Sequence, residues 1–259
     1  MIRLLKTEEM DGLLSAIERE GHFLYYSYLT SRRPHTIHAG QFTADGELLG
    51  VMAYCRGLPF HAFSVYPIHT GFQAKRVQRF LQECLALPTG AVGSCMVNTE
   101  VKDLLVRQLE TDSLPIPIML MKHQPLTNLP PVDAQVVRLE QESYQRIKSR
   151  LTEWNMMAFS KEELHNPFYG IWAENELVAL GGYHIYSKEY VELGNIGTDA
   201  DWRNRGYGRK ISAQLTRSGY AISDQVYLNV VEHNASAIRL YRSLGFETIC
   251  RQHILQFKL

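Results

Sequence analysis

The chain has 259 residues, enough for two domains of roughly 130 residues each. Hydrophobic residues make up 45% of the chain and charged residues 21%, which is ordinary for a globular protein and excludes disordered and fibrous classes. Lys and Arg total 27, as do Asp and Glu, so the net charge is zero with His neutral. Such a chain has no overall field to attract nucleic acid or an anionic membrane, and we expect neither as a partner.

The N-terminus and the cysteines favour a cytoplasmic protein. The first nine residues reach acidic side chains at once and have no signal-peptide core. The longest apolar stretches, such as Leu48–Cys55, are too short to span a membrane. The cysteines include no C-x-x-C pair, which is typical of free thiols in a reducing compartment. The histidines form no cluster with metal-ligand spacing, so we expect no metal site.

A proline-rich segment at residues 124–134 divides the chain almost in half. Its prolines, Pro125, Pro130 and Pro131, interrupt any helix or central strand. We therefore expect an N-terminal domain at residues 1–123 and a C-terminal domain at residues 135–259. Residues 44–54 and 173–183 align with four identities in eleven. Chance similarity between two hairpins is one explanation, but the order of predicted elements also agrees, which favours a tandem repeat of one fold.

The predicted elements alternate between strands and helices, which indicates an α/β (mixed α+β) fold with strands predominating in the middle of the C-terminal half. In chain order, the N-terminal half predicts a strand at 2–4, a helix through Leu13 to Arg19, strands opening after the turn at 45–46 and at 62–67, and a helix at 101–109. The C-terminal half predicts strands at 136–140, 168–173, 177–186, 189–198, 225–231 and 248–258, and helices at 141–154, 208–222 and 234–244.

The segment 203–210 is the most informative part of the chain. Gly206 and Gly208 let the backbone turn tightly between a strand and a helix and approach a ligand. The first N–H groups of a helix are unpaired and carry about half a positive charge, so this arrangement makes a site for phosphate oxygens. A plain strand-to-helix turn is the alternative. The Walker ending and the third glycine of the dinucleotide fingerprint are missing, which counts against nucleotide hydrolysis and hydride transfer. Positive charge is added by Arg205, Arg209 and Lys210.

A second motif follows the next predicted strand, where Asn234 is a good N-cap and Gly245 a good C′ residue. Arg203-x-x-Gly206-x-Gly208, followed by Asn234-x-x-Ala237-x-x-x-Tyr241-x-x-x-Gly245-Phe246, resembles the GCN5-related N-acetyltransferase (GNAT) superfamily. The form Asn-Ala-Ser-x-x-x-Leu-Tyr-x-x-x-Gly-Phe is similar to its glycine N-acyltransferase-like branch. The resemblance covers roughly residues 136–259, and the N-terminal half matches it only in outline.

The resemblance implies tandem GNAT-like domains, each a central mixed, mostly antiparallel sheet flanked by helices, with a degenerate N-terminal copy. It implies an acetyltransferase with acetyl-CoA as the acyl donor and no metal. The acceptor stays open among small amines, amino acids, antibiotics and protein N-termini, and we favour a small molecule or an amino acid over a protein. Backbone amides of the glycine loop would bind the diphosphate of coenzyme A, and the pantetheine arm would lie between two splayed strands. The implied cofactor-binding residues are Ile196, Thr198, Arg203, Asn204, Arg205, Gly206, Tyr207, Gly208, Arg209 and Asn234.

Tyr241 would be the general acid that protonates the departing thiolate. With ordinary pKa values, proton transfer from tyrosine to a thiolate is uphill by about 1.5 units, or roughly 2 kcal/mol, which a hydrogen bond can offset. The alternative is a core aromatic, since three apolar side chains share its helix face. These are Ala237, Ile238 and Leu244.

Glu192 is the first candidate for the general base that a protonated amine requires. It interrupts an apolar strand, where a charge is rarely placed without purpose. It also lies fourteen residues before Gly206, where several histone-type members of the superfamily carry their glutamate base. A strand-edge glutamate facing solvent is the alternative. His184 and Glu189 could act instead through a water molecule.

The N-terminal half departs from both motifs. The segment 68–76 has one glycine and no Gly-x-Gly turn, and the helix at 101–109 has no tyrosine in the position of Tyr241. We therefore expect this half not to bind coenzyme A. Two other functions stay open for the chain. One is a non-catalytic acyl-CoA-binding regulatory protein, against which Tyr241 counts. The other is transfer of an aminoacyl group from a charged tRNA, against which the neutral charge counts.

Overall fold

The computed structural model describes residues 1–125, 129–156, 159 and 162–259. The predicted linker at 124–134 therefore lies partly outside the described residues. The chain forms two compact units. Unit 1 comprises Met1–Ile118 and Cys250–Leu259, and unit 2 comprises Met119–Ile249.

The elements up to the linker are β1 (Ile2–Leu4), α1 (Thr7–Ala16), α2 (Phe23–Leu29), β2 (Thr36–Phe42), β3 (Leu48–Cys55), β4 (His61–Pro67), α3 (Ala74–Cys84), β5 (Val92–Asn98), α4 (Thr99–Gln108) and β6 (Ile116–His123). Those after it are β7 (Val137–Leu139), α5 (Tyr144–Glu153), β8 (Phe168–Ala173), β9 (Glu176–Tyr186), β10 (Val191–Thr198), α6 (Tyr207–Tyr220), β11 (Val226–Val231), α7 (Ala235–Ser243) and β12 (Phe246–Lys258). Short 3-10 helices occupy Arg33–His35, Gln141–Ser143, Glu162–His165 and Ala200–Trp202.

These bounds confirm the predicted elements of the C-terminal half to within a few residues. The predicted helix from Leu13 to Arg19 is wrong at its end, because Ile17 is extended (φ −76°, ψ 136°) and α1 stops at Ala16. The tight turn predicted before β9 is confirmed: Glu174 and Asn175 have φ values of 51° and 65°. Two consecutive positive φ values are what a two-residue hairpin requires.

Unit 1 contains a mixed sheet in the order β1-β2-β3-β4-β5-β12. Neighbouring strands in this sheet are antiparallel, except for β4 and β5, which are parallel. The C-terminal strand pairs with β5 from Gln252↔Asn98 to Lys258↔Val92. Leu255 and Phe257 on this strand are fully buried in the core of unit 1. The apolar alternation of the last ten residues thus completes a core built largely from the N-terminal half.

Unit 2 contains six strands in the order β6-β11-β10-β9-β8-β7. The pairs β7–β8, β8–β9 and β9–β10 are antiparallel, whereas the pair β10–β11 is parallel. On one face α6 packs Ile211 and Leu215 over Gly181, where a Cβ would lie 2.9 Å from both side chains. On the other face α5 contributes Ile147 and Leu151 to a separate apolar cluster.

The two units differ from the predicted domains in their last strands. β12 was expected to close the C-terminal domain, but its residues from Cys250 onward belong to unit 1. Conversely, β6 from Met119 onward belongs to unit 2, where Met121 is fully buried. A strand joins the sheet that supplies its hydrogen-bond partner, and local sequence does not reveal that partner.

Both halves of the chain nevertheless run through the same series: a short strand, helical segments, three strands, a helix, a strand, a helix and a strand. The chain is therefore mixed α/β and built as a tandem. Among the described residues, no helix is both long enough and apolar enough to cross a bilayer.

The place of the C-terminal strand can be tested at Phe257, whose ring lies 5.3 Å from that of Phe63. We expect Phe257→Ala to lower the free energy of unfolding by about 3–5 kcal/mol, because it leaves a cavity in the core of unit 1. Amide hydrogen exchange, followed by mass spectrometry, should accelerate in β4 and β5 before it does in β9 and β10. Lys258→Ala, which removes only an exposed pair with Glu110, is the control and should leave the unfolding midpoint unchanged. Earlier exchange in β9 and β10 would contradict the assignment.

Candidate functional site

The parallel strands β10 and β11 run side by side for only three residue pairs. These are Val191↔Val226, Glu192↔Tyr227 and Leu193↔Leu228. β10 continues to Thr198, where it is still paired on its other edge with Ala179 of β9. Within the described residues, the edge of β10 beyond Leu193 that faces β11 thus has no strand partner. The separation agrees with the splay expected between these strands, and it leaves the main chain of Ile196 and Thr198 beside a gap.

Asn195 accounts for the departure of β10 from regular geometry. Its φ is 54°, a left-handed conformation that asparagine tolerates better than most residues. The register with β9 runs from Gly194↔Gly182 to Gly197↔Leu180. Two residues of β10 therefore stand opposite Gly181 alone, which is a β-bulge. Bulges of this kind bend a strand and increase its twist, so β10 turns away from its parallel neighbour here.

The glycines of the predicted phosphate loop have separate structural roles. Gly206 is the N-cap of α6 and has φ 78°, and Asn204 before it has φ 62°. A Cβ on Gly206 would meet nothing within 4 Å, so the space next to it is open. A Cβ on Gly208, in contrast, would lie 3.3 Å from Leu240 of α7. The first glycine sets the backbone conformation, and the second allows the start of α6 to pack closely.

Arg209 provides a test of whether this loop suits an anionic ligand. Its Nη1 is buried and has no hydrogen-bond partner among the described residues. A buried donor without a partner costs about 1–3 kcal/mol. A phosphate oxygen that accepted from Nη1 would remove that cost, and one at the open N-terminus of α6 would satisfy the first N–H groups of the helix. The residues present therefore fit a diphosphate.

The other basic side chains of the loop are held to different degrees. Arg203 Nε donates to the carbonyl of Thr198 at 3.3 Å. The Arg205 guanidinium lies 4.3 Å from the centre of the Trp202 ring. Lys210, which the sequence suggested as added positive charge, is already engaged: its Nζ lies 2.8 Å from a carboxylate oxygen of Asp133. Arg203 and Arg205 thus contact their neighbours in the chain, whereas Lys210 forms an ion pair with a distant residue.

The helix α7 has both ends where the sequence predicts them. Asn234 caps its start and accepts a hydrogen bond from the N–H of Ala237 at 3.1 Å. Gly245 follows its last turn with φ 94°, as expected of a C′ glycine. Because Asn234 is at the very start of α7 and follows β11, it stands beyond the point where β11 has left β10.

Tyr241 is 8% exposed and belongs to the same buried cluster as Leu193 and Leu228, the last pair before the strands separate. Its ring contacts that of Phe246 edge-on, with 6.0 Å between the centres. Burial raises the pKa of Tyr241 to about 12, so the hydroxyl keeps its proton at neutral pH. The position suits both a core aromatic and a proton donor at the end of the gap.

Glu192 lies in a central strand and is 7% exposed. The solvent-facing strand-edge alternative is therefore wrong. Its Oε1 accepts a hydrogen bond from Nδ2 of Asn229 at 2.8 Å, and this bond joins β10 to β11 near the end of their paired stretch. Glu189, the more distant candidate base, is exposed in the hairpin between β9 and β10.

The sequence analysis missed Glu163, which lies in the 3-10 helix Glu162–His165. This carboxylate is 3% exposed. Its Oε2 lies 3.1 Å from Nδ1 of His184 and accepts a hydrogen bond from Nδ2 of Asn195 at 2.8 Å. No periodicity or motif marks this stretch. The only available signal was a histidine in β9 that would need a partner.

Unit 1 has a comparable pair of strands with a different helix start. β4 and β5 are parallel for three residue pairs, from His61↔Gly93 to Phe63↔Cys95. The first N–H groups at α3 are satisfied from within the chain: Gln73 donates to Oε1 of Gln41 at 2.7 Å, and Ala74 donates to Oε1 of Gln108 at 2.6 Å. Side chains thus fill the position that is open at α6. In the described ranges, no group of three potential metal ligands occurs.

Comparison with known proteins identifies relatives of the C-terminal half. Residues 134–246 match the family model "Acetyltransferase (GNAT) family". Over 102 residues, or 37% of this chain, the sequence is 33% identical to the N-alpha-acetyltransferase RimI of Mycobacterium tuberculosis, covering 63% of that protein. It is 36% identical over 102 residues to an uncharacterized protein of Mycobacterium leprae, covering 28% of it. The chain thus spans less than two thirds of the length of either relative.

Solved structures resemble the chain over nearly its whole length. A putative GNAT-family acetyltransferase from Novosphingobium aromaticivorans has a TM-score of 0.68 at 15% identity and covers 94% of this chain and 100% of its own. A GCN5-related N-acetyltransferase from Sphaerobacter thermophilus has a TM-score of 0.68 at 13% identity, with coverage of 100% and 95%. A tandem GNAT protein from the clavulanic acid biosynthesis pathway has a TM-score of 0.60 at 14% identity, with coverage of 100% and 98%. At these identities the likeness establishes the fold. The family match is confined to residues 134–246, whereas the likeness in fold extends over nearly the whole chain.

Proposed function

We propose that unit 2 transfers an acetyl group from acetyl-CoA to a primary amine. The GNAT family uses acetyl-CoA as its acyl donor. The observation that carries the proposal is the early separation of β10 from β11, next to a helix whose N-terminus faces open space. An extended thioester arm needs such an unpaired strand edge, and a diphosphate needs such a helix start.

The donor would be held by main-chain groups and by a few side chains around the gap. Amides at the start of α6 and the buried Nη1 of Arg209 would bind the diphosphate. The free edge of β10 would bind the arm through main-chain hydrogen bonds. The residues proposed for this role are Ile196, Thr198, Arg203, Asn204, Arg205, Gly206, Tyr207, Gly208, Arg209 and Asn234.

Tyr241 is proposed as the general acid. The amine nitrogen attacks the acetyl carbonyl carbon, the C–S bond breaks, and the sulfur takes the proton of the Tyr241 hydroxyl. The Tyr241 oxygen then takes the proton that the attacking nitrogen loses on becoming an amide. With the pKa of Tyr241 at about 12 and an ordinary thiol near 8.5, this transfer is uphill by about 3.5 units, or roughly 5 kcal/mol. The burial that raises the pKa of Tyr241 would also raise the pKa of a thiol beside it, because burial disfavours the thiolate. The difference between the two pKa values would therefore be smaller.

The acceptor is proposed to be a small molecule or an amino acid, on the basis of the resemblance to the glycine N-acyltransferase-like branch. One of the relatives is an N-alpha-acetyltransferase, so a free peptide N-terminus belongs among the amines to be screened. The cytoplasmic location stays a prediction.

We propose further that unit 1 does not bind acetyl-CoA. The start of α3 is occupied by the carboxamides of Gln41 and Gln108. Asn98 caps α4 as Asn234 caps α7, but the position seven residues after Asn98 is the buried Leu105 rather than a tyrosine.

Isothermal titration calorimetry with acetyl-CoA measures the number of sites directly. We expect one site per chain with a Kd in the micromolar range, as is common for such donors, because the start of α3, unlike that of α6, is occupied by the side chains of Gln41 and Gln108. Two sites per chain would contradict the assignment of unit 1. Binding that is accompanied by no thiol release with any amine would favour the non-catalytic acyl-CoA-binding alternative.

Arg209→Met should weaken acetyl-CoA binding about tenfold, or about 1.4 kcal/mol, because it removes the charged donor Nη1, which has no hydrogen-bond partner among the described residues. The same calorimetric titration measures the change. Arg138→Met is the matched control, since Arg138 is on β7 with a side chain 59% exposed. Equal affinities for wild type and Arg209→Met would place the diphosphate elsewhere.

Tyr241→Phe should lower kcat about 100-fold and leave acetyl-CoA affinity within about twofold, because the ring stays in place and only the proton donor is lost. Thiol release gives the rate, and calorimetry gives the affinity. Tyr169→Phe is the control, since it removes a hydroxyl that contacts Ser218 at 2.8 Å and should change neither quantity. Parallel losses of rate and affinity in Tyr241→Phe would assign Tyr241 a structural role.

A further inference from the structure

Two bulges lie in succession along the β9–β10 ladder, near the point where β10 leaves β11. On β9, the register passes from Glu192↔Ile185 to Leu193↔Tyr183, so His184 is an extra residue. On β10, the second shift makes Asn195 part of a bulge. Bulges re-aim side chains and are over-represented next to active sites. Here they bring an imidazole and a carboxamide to one place.

The carboxylate of Glu163 joins these two bulges. The same oxygen, Oε2, contacts Nδ1 of His184 and the side-chain amide of Asn195. Removing a carboxylate from water is expensive unless it is paired or hydrogen-bonded. A charge that is 3% exposed is therefore an unfavourable choice for a purely structural clamp, which a neutral side chain could provide. The position of the Glu163 carboxylate fixes the orientation of the His184 imidazole.

His184 lies directly over the first residue of β10 beyond the last parallel pair. A Cβ on Gly194 would collide with Nε2 and Cδ2 of the His184 ring. Because Nδ1 faces Glu163, the nitrogen against β10 is Nε2. When Nδ1 donates its proton to the carboxylate, Nε2 carries the lone pair that can accept another. The His184 side chain is 18% exposed, whereas Glu192 is buried.

We propose that His184 is the general base of the acetyl transfer and that Glu163 is its positioning residue. This inference rests on the proposed function and names a base for it. The N–H bond of the acceptor ammonium breaks, its proton passes to Nε2 of His184, and the nitrogen keeps the electron pair with which it attacks the acetyl carbon. The resulting imidazolium is stabilised by the adjacent carboxylate of Glu163.

The energetics of ordinary residue types favour a histidine in this role. Proton transfer from a lysine-like ammonium to an ordinary imidazole is uphill by about 4 pKa units, or roughly 5 kcal/mol. Transfer to an ordinary carboxylate is uphill by about 6 units, or roughly 8 kcal/mol. Glu192 lies two residues before Gly194 and thus on the same face of β10. It already accepts the amide of Asn229, and it adds negative charge to the face on which an imidazolium would form.

Imidazole rescue of His184→Ala tests the base. Thiol release is measured with acetyl-CoA and the best amine from a panel of glycine, a diamine, an aminosugar and a short peptide with a free N-terminus. We expect His184→Ala to lower kcat about 100- to 10,000-fold, with the KM for acetyl-CoA within about twofold. Free imidazole should restore at least about tenfold of the loss, since the truncated side chain leaves space over Gly194.

Glu163→Gln tests the positioning role. We expect it to lower kcat about ten- to hundredfold, as for other carboxylates that orient a histidine, and we expect Glu163→Asp to retain more activity. Glu140→Gln, at a side chain 69% exposed, is the matched control and should leave kcat unchanged. A readout that needs no acceptor is the ¹⁵N NMR spectrum of His184, in which Glu163→Gln should abolish the preference for the Nδ1-protonated tautomer. Melting temperatures identify any variant that fails to fold.

Two results would overturn the inference. One is a His184→Ala variant that keeps kcat within about twofold while Glu192→Gln abolishes turnover. The other is a folded His184→Ala variant that loses turnover and is not rescued by imidazole. A wild-type protein that binds acetyl-CoA but acetylates none of the amines would instead refute the proposed function, and the NMR tautomer would then decide the Glu163–His184 pair on its own.

Discussion

Main-chain hydrogen bonding between β10 and β11 stops after three residue pairs, and the rest of the candidate site depends on that stop. Two parallel strands in register would leave no room for a ligand. The bulge at Asn195 turns β10 away, its free edge becomes available, and the chain then enters α6 through a left-handed glycine.

The two units satisfy the same physical requirement in different ways. Every helix start has N–H groups that need acceptors. At α3 they are met by Gln41 and Gln108, so the helix is complete without a ligand. At α6 a Cβ added to Gly206 would meet nothing within 4 Å, and Nη1 of Arg209 is buried without a hydrogen-bond partner among the described residues. Similar strands and helices thus give one closed and one open helix start, and the difference comes from a few side chains.

Features governed by neighbouring residues were predictable from the sequence. The hairpin at Glu174 and Asn175, the left-handed Gly206 and both ends of α7 all follow from local backbone preferences. For the same reason the strands and helices of the C-terminal half were placed to within a few residues.

Features that depend on distant contacts were not predictable. Glu163 carries no periodic signal, and its importance comes from contacts with residues 21 and 32 positions later in the chain. The bulges at His184 and Asn195 depend on register, which is a property of a pair of strands. The burial of Glu192 required knowing that β10 has neighbours on both sides. The sequence suggested His184 as a base but could not supply its partner.

The chain passes between the two units twice, at residues 118/119 and 249/250, so each unit obtains a strand from the other half of the sequence. If the chain were divided at the proline-rich segment, each of the two fragments would have an incomplete sheet and an exposed strand edge. The N-terminal half therefore cannot be discarded in the course of evolution as a redundant copy, even if it binds no ligand of its own. The N-terminal half would be retained because Leu255 and Phe257, in the last ten residues of the chain, are buried in the core that it largely builds.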